Sequence, residues 1–216
     1  MKKKLNLPSL TDIILAFFGA MLCGLGCGFI NYASFGMDGV GIFYDGIRNT
    51  LHLSADQIGT ASYIVTGILS LFLWFADRRY VSFGSIIYIL TYGIFANWGT
   101  MLFEHLLPAP PSMIRIIIAL LGLLTLYLGL GIYIAIDIGV DAFTGVMLYI
   151  CNKTRKELKN IKILFDLSLV ILGRILGGKL GVITLISILI GGPCISFLTQ
   201  KIQKTYFQFK LRNKSH

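Results

Sequence analysis

Apolar residues run along this chain in long unbroken blocks, without the alternation of a strand or the single stripe of a soluble helix. Six blocks stand out: Thr11 to Ala33, Ile58 to Ala76, Val81 to Phe103, Met113 to Ile136, Ile161 to Leu176 and Leu180 to Leu198. A hydrocarbon core of about 30 Å takes about twenty helical residues, so each block is long enough for a span, the fifth only just. Lipid satisfies no backbone polar group, and continuous apolar runs therefore mean helices and not barrel strands. The expected fold is an all-α polytopic membrane protein with six transmembrane helices, one membrane domain over residues 1–216.

Two shorter segments interrupt the blocks, one after the first span and one after the fourth, and each is opened by Gly-x-Asp. In the first, Gly36-Met37-Asp38 leads into a stretch with Val40, Phe43, Ile47 and Leu51 on one helical face and Asp45, Arg48, Asn49 and His52 on the other. That polar stripe predicts a short helix along the outer leaflet, interfacial or partly re-entrant. In the second, Gly139-Val140-Asp141 opens a segment with Phe143, Val146, Met147 and Ile150 on one face and few charges opposite, a pattern suited to dipping deeper into the protein.

Composition agrees with lipid as the solvent. The 216 residues are 56% hydrophobic and 13% charged, with a mean hydropathy of +0.78, about half the charge that wets an ordinary globular surface. The net charge of +9 comes from clusters at the ends of apolar blocks, and no recognition module accompanies them, which argues against nucleic acid as a partner. With the amino terminus inside, Lys2 to Lys4, Arg78 and Arg79, the Lys153 to Lys162 loop and the Lys201 to Lys214 tail all fall on the inner side. This positive-inside pattern predicts a membrane protein with both termini cytoplasmic, and no cleavable signal is expected in the first block.

The chain also repeats. A shift of about 103 positions lays Gly19, Gly26, Gly28, Gly36 and Asp38 on Gly122, Gly129, Gly131, Gly139 and Asp141. The expected copies cover about residues 11–104 and 113–200, followed by a basic tail at 201–216. Each copy reads long helix, Gly-x-Asp, short helix, two more helices. Three crossings per copy are an odd number, so the halves are expected to be inverted about an axis in the membrane plane, as in many secondary transporters. An old duplication in a scaffold without transport is the other reading.

Candidate binding residues for a substrate or ion are Asp38, Asp141, Asp166, Asp137 and Asn31, with Gly36 and Gly139 as the repeat-turn glycines. Asp38 and Asp141 read as N-caps, and equally as carboxylates at helix amino termini near membrane depth, where polar groups of a ligand bind. Asp137 is close enough in sequence to share a site with Asp141. Asp166 and Arg174 lie within the fifth span, where a charge is costly. Asp166 suits either structural pairing, with Lys162 four residues earlier, or a proton- or cation-linked role; Arg174 suits snorkelling. Asn31, Asn97 and Thr66 suit interhelical hydrogen bonds, and Trp74, Tyr80, Trp98 and Tyr206 an interfacial aromatic belt.

Cys23, Cys27, Cys151 and Cys194 and the dispersed His52, His105 and His216 give neither a metal nor a disulfide signature. No nucleophile motif or phosphate loop is present, so neither an enzyme nor a cofactor is expected. The repeated Gly-x-x-x-Gly-x-Asp-like elements, six spans of this size and the Gly177 to Thr184 segment (Gly-Gly-Lys-Leu-Gly-Val-Ile-Thr) resemble the YczE/YyaS/YitT group of bacterial integral membrane proteins. The resemblance covers most of the chain; it implies architecture and membrane location, with transport or export for some of the group, and no substrate. The function expected is a small secondary transporter or exporter of an unknown small molecule or ion. The alternative is a non-catalytic membrane partner, such as a regulatory or substrate-binding subunit, acting with a second copy or another protein. Two short helices aiming their amino termini into one shared polar cavity would favour the transporter, and two surface-lying helices the partner.

Overall fold

A computed structural model describes residues 8–156 and 158–212, and every regular element among them is helical. The order is α1 (Leu10–Ala33), α2 (Gly39–Thr50), α3 (Ile58–Ala76), α4 (Phe83–Leu106), α5 (Ser112–Ile136), α6 (Ala142–Thr154), α7 (Leu158–Ile175) and α8 (Val182–Arg212). Single 3-10 turns, Ala55–Gln57 and Arg78–Tyr80, precede α3 and α4.

Local chemistry sets the boundaries. Ser9 and Asp12 exchange backbone and side-chain hydrogen bonds in a capping box that starts α1, and Ser82 does the same with Ser85 at α4. Pro111 occupies the N-cap position of α5. Left-handed residues stop three helices, with Ser34, Asp137 and Arg155 at φ of 57°, 56° and 54°.

Among the described residues five helical stretches are long and apolar enough to cross a membrane: Leu10–Ala33, Ala55–Ala76, Phe83–Leu106, Ser112–Ile136 and Val182–Tyr206. The fifth expected span, α7, is not among them. It has 18 residues and carries Lys159, Lys162, Asp166 and Arg174, which dilute its apolar character. The outward faces of the long helices are apolar, with Phe75 80% and Leu189 77% exposed. Such broad apolar surface marks a membrane-embedded protein.

Helix α1 is the hub, and glycines decide how closely its neighbours approach. A Cβ on Gly26 would lie 2.5 Å from the Leu126 nitrogen and 2.6 Å from the Gly122 oxygen. One on Gly129 would lie 2.6 Å from the Cys23 nitrogen and the Gly19 oxygen, so α1 and α5 touch backbone to backbone and run antiparallel. On its other side Gly24 and Gly28 meet the carbonyls of Tyr92 and Ala96, each at 2.4 Å from the missing Cβ, and α4 runs parallel to α1. Helix α8 lies parallel to α5 in the same manner, Gly191 against Tyr127 and Gly131 against Leu198.

The short helices pack across the two halves. Going up α2, Gly39 meets Asp166, Ile42 meets Gly173 and Thr50 meets Leu176, so α2 lies parallel to α7. Going down α6, Gly145 meets Leu73, Tyr149 stacks edge-on against Phe72, and Asn152 donates to the Tyr80 hydroxyl, so α6 follows the end of α3.

The polar stripe of α2 does not lie along a leaflet surface. Asp45 and Arg48 are 2% and 7% exposed, and they pair at 2.7 Å inside the protein. Asp45 also accepts the backbone N–H of Lys179, and Arg48 donates to the Leu53 carbonyl and to Asn49. Asp45 and Arg48 are thus satisfied by protein and not by headgroups, because amphipathic periodicity records a polar face without saying whether water, headgroups or a partner helix satisfies it.

Candidate functional site

The two Gly-x-Asp turns are held by the helix that starts beside each. Gly36, at φ 94°, presses on the start of α8, where an added Cβ would lie 2.5 Å from both the Gly181 nitrogen and Thr184 Oγ1. Gly139 presses on the start of α4, 2.1 Å from Ser82 Oγ by the same measure. The neighbouring contacts repeat as well: Ile183 donates its N–H to the Phe35 carbonyl, and Ser85 donates its hydroxyl to Val140. The glycines are needed because there is no room for a side chain where turn and helix start meet.

These turns aim Asp38 and Asp141 at the first turns of α2 and α6. Asp141 is a side-chain cap: Oδ1 accepts the Thr144 N–H at 3.0 Å and Oδ2 the Thr144 hydroxyl at 2.5 Å. Asp38 has N-cap backbone geometry, φ −64° and ψ 169°, but its carboxylate makes no capping hydrogen bond. It stands over Gly41, whose missing Cβ would be 2.7 Å from Asp38 Oδ1. Both carboxylates are partly buried.

A row of buried tyrosines runs through the core of the helices. Ring centroids step from Tyr133 to Tyr88 at 4.8 Å, to Tyr92 at 5.5 Å and to Tyr44 at 5.9 Å. These four side chains are 2–6% exposed. The Cys23 thiol sits beside Tyr88 and the Cys27 thiol beside Tyr92, one helical turn apart on α1. Tyr44 of α2 and Phe143 of α6 meet at 5.6 Å between ring centroids, so the two short helices touch at this aromatic cluster.

The Tyr133 hydroxyl is buried with no hydrogen-bond partner. A buried, unsatisfied hydroxyl costs about 1–3 kcal/mol, so its retention at the Tyr133 end of the row marks a place where packing alone does not account for the residue chosen.

The remaining candidates divide. Asp166 borders the start of α2, its carbonyl oxygen 3.6 Å from where a Gly39 Cβ would be, and therefore belongs to the neighbourhood of Asp38. The Lys162 side chain of the expected pair with Asp166 lies outside the described residues. Asp137 is exposed at the left-handed end of α5, whereas Asp141 is partly buried. Asn31 is a helix tie: Nδ2 donates to the Ala55 carbonyl at 2.7 Å and to Thr100 Oγ1 at 3.2 Å. Arg174, at the carboxyl end of α7, points its guanidinium toward the Gly178 carbonyl. Among the described residues no group of three metal-ligating side chains converges.

Sequence reasoning missed these four tyrosines; the only ones it assigned, Tyr80 and Tyr206, went to an interfacial belt. The available signal was register: Tyr88 and Tyr92 are four apart on α4, as are Cys23 and Cys27 on α1, so each pair lies on one helical face. Nothing in that spacing says that the two faces meet.

Among known proteins, the chain is 23% identical over 194 residues to an uncharacterised protein of Haemophilus influenzae, covering 89% of this chain and 85% of that one. No solved structure matches it. The match that carries an assignment runs over residues 10–200, nearly all the described helices, and by it the chain belongs to DUF6198, a family of unknown function.

Proposed function

We propose that this protein is a small secondary transporter or exporter of the bacterial plasma membrane, working from the tyrosine cluster between α2 and α6. The observation that carries this reading is the meeting of both short helices inside the protein, Tyr44 against Phe143 at 5.6 Å in one buried aromatic cluster, when surface-lying helices would have suited a partner subunit. Half-helices that start at membrane depth and point their dipoles at a central site are the usual construction of such carriers.

The path of the chain supports a six-span, inverted-repeat reading, with α7 as the short sixth crossing. Equivalent helices α1 and α5 run antiparallel, and each has a parallel partner, α4 and α8. Short helices exchanged between halves, α2 on α7 and α6 on α3, are what a two-fold axis in the membrane plane generates. With both termini cytoplasmic, α2 then opens toward the outside and α6 toward the inside. The likeness to the YczE/YyaS/YitT group fits this architecture. In this mechanism Asp38 and Asp141 are the polar contacts of the two alternating faces, and Asp166 neighbours the outer one.

The test is flux. The full chain in proteoliposomes, loaded with a defined mixture of small solutes under a pH gradient, is expected to move at least one solute. The movement is expected to vanish in Asp38→Asn and Asp141→Asn, since Asn still caps a helix. No chain-dependent movement, or movement untouched by both substitutions, overturns the proposal.

A further inference from the structure

We infer that the cleft where the end of α1, the end of α4 and the start of α5 meet is a binding site for an apolar α-amino acid, recognised as a zwitterion. The inference goes beyond the transport reading and uses no residue of the tyrosine cluster.

A cavity of about 440 Å³ opens at this cleft, lined by Tyr32, Glu104, Pro108, Ala109, Pro110 and Arg115. That is the size of an ordinary small-molecule pocket. Two of its side chains are held in place by groups outside it. The Tyr32 ring stacks on Phe103 at 5.5 Å and its hydroxyl donates to the Leu107 carbonyl. Arg115 donates from Nη2 to the Ala33 carbonyl at 2.8 Å, and its guanidinium lies over the Phe35 ring at 5.2 Å. Among the described residues its Nε and Nη1 make no hydrogen bond. A planar fork oriented from elsewhere, with N–H groups still to give beside a cavity, suits a carboxylate.

The second charge sets the class. Glu104 lines the same cavity, yet among the described residues it makes no hydrogen bond or ion pair, with Arg115 or with any other group. Neither charge serves the dipole of its own helix. Glu104 stands in the last turn of α4, at the negative end, and Arg115 in the first turn of α5, at the positive end. Each helix end therefore reinforces the charge placed on it, and the cavity presents a negative side and a positive side. A simple anion is drawn to one and repelled by the other, and so is a simple cation. A molecule that carries both charges answers the two at once. An α-amino acid supplies the carboxylate for Arg115 and the ammonium for Glu104, while Pro108, Ala109 and Pro110 leave apolar wall for its side chain.

The test is isothermal titration of the full chain in detergent, at low ionic strength, with L-leucine, sodium isocaproate and isopentylammonium chloride. The last two keep the leucine side chain and lack its ammonium and its carboxylate in turn. Leucine is expected to bind saturably, at least tenfold tighter than either analogue. Glu104→Gln changes an exposed side chain with no protein partner, so it leaves the fold intact; it is expected to erase most of the preference for leucine over isocaproate. Arg115→Gln is expected to erase most of the preference over isopentylammonium. Absence of saturable leucine binding to the folded chain, an analogue that binds as tightly as leucine, or an unchanged preference over isocaproate in Glu104→Gln overturns the inference. The Glu104→Gln result decides it even where loss of the Ala33 bond unfolds Arg115→Gln.

Discussion

Breaking the buried pair on α2 should cost far more than breaking an exposed one, and a double substitution should recover most of the loss. Asp45 accepts two hydrogen bonds from Arg48, at 3.0 and 2.7 Å, and one from the Lys179 N–H at 2.8 Å. Asp45→Asn takes the negative charge from the buried guanidinium and leaves it neutral acceptors alone, the new amide oxygen with the Leu53 carbonyl and Asn49 Oδ1 at 3.1 and 2.7 Å. Removing one partner of a buried pair typically costs about 3–5 kcal/mol, and the two surviving acceptors place the expected loss near the lower end, about 3 kcal/mol. Replacing both partners by apolar residues of similar volume, Asp45→Leu with Arg48→Met, removes the stranded charge and is expected to fall within about 1 kcal/mol of the native chain. The assay is equilibrium unfolding in mixed micelles with rising dodecyl sulfate, read by the fluorescence of Trp74 and Trp98. A coupling energy of about 2–3 kcal/mol from the double-mutant cycle is the expected result. A loss under about 1 kcal/mol for Asp45→Asn, or a double variant as unstable as the sum of the singles, refutes the claim that this pair is held dry.

Gly36→Ala combines a left-handed backbone at φ 94° with a Cβ 2.5 Å from Gly181 and Thr184; strain and overpacking together are expected to cost about 2–4 kcal/mol in the same unfolding assay. Tyr133→Phe is expected to leave unfolding unchanged or raise stability by up to about 1 kcal/mol, because the hydroxyl it removes is unsatisfied; a loss above about 1 kcal/mol counts against that geometry. In the turn before α4, hydrogen bonds from Arg79 hold the Asp77 carboxyl below its ordinary value. A depressed carboxylate contributes its stability above the ordinary carboxylate range and loses it as pH falls through the folded value. Arg79→Gln is thus expected to return Asp77 to an ordinary titration, followed by carboxyl carbon resonances, with little change in global stability because the pair is exposed.

Much of the helical plan was written in the chain itself. The block from Ile58 to Ala76 coincides with α3, and the other blocks begin and end within a few residues of their helices except at the end of α8, which continues to Arg212. Blocks of this length admit one solution in lipid, since each residue must satisfy its own backbone within the helix. The Gly-x-Asp turns were legible for the same local reason: glycine permits the turn and aspartate suits the position that follows. Asp141 shows that chemistry directly, and Asp38 shares its backbone without its capping bond.

What faces what was beyond reach. The stripe Asp45, Arg48, Asn49 looks the same in sequence whether headgroups or α7 cover it, and only the packing of α2 on α7 and the Lys179 turn turned it into a buried ion pair. The charges on α7 likewise set it apart from the five clear spans, although its apolar residues had marked it as one. The tyrosine cluster is the clearest case. Its rings come from α2, α4 and α5, its thiols from α1, and its carboxylates from two turns 103 residues apart. Local periodicity determined that each of these elements would be a helix or a turn, because backbone hydrogen bonding and lipid exclusion act over a few residues. Only the close approach of α1 to α4 and α5 along glycine seams, which is a property of several helices at once, decided that their side chains would share one buried site.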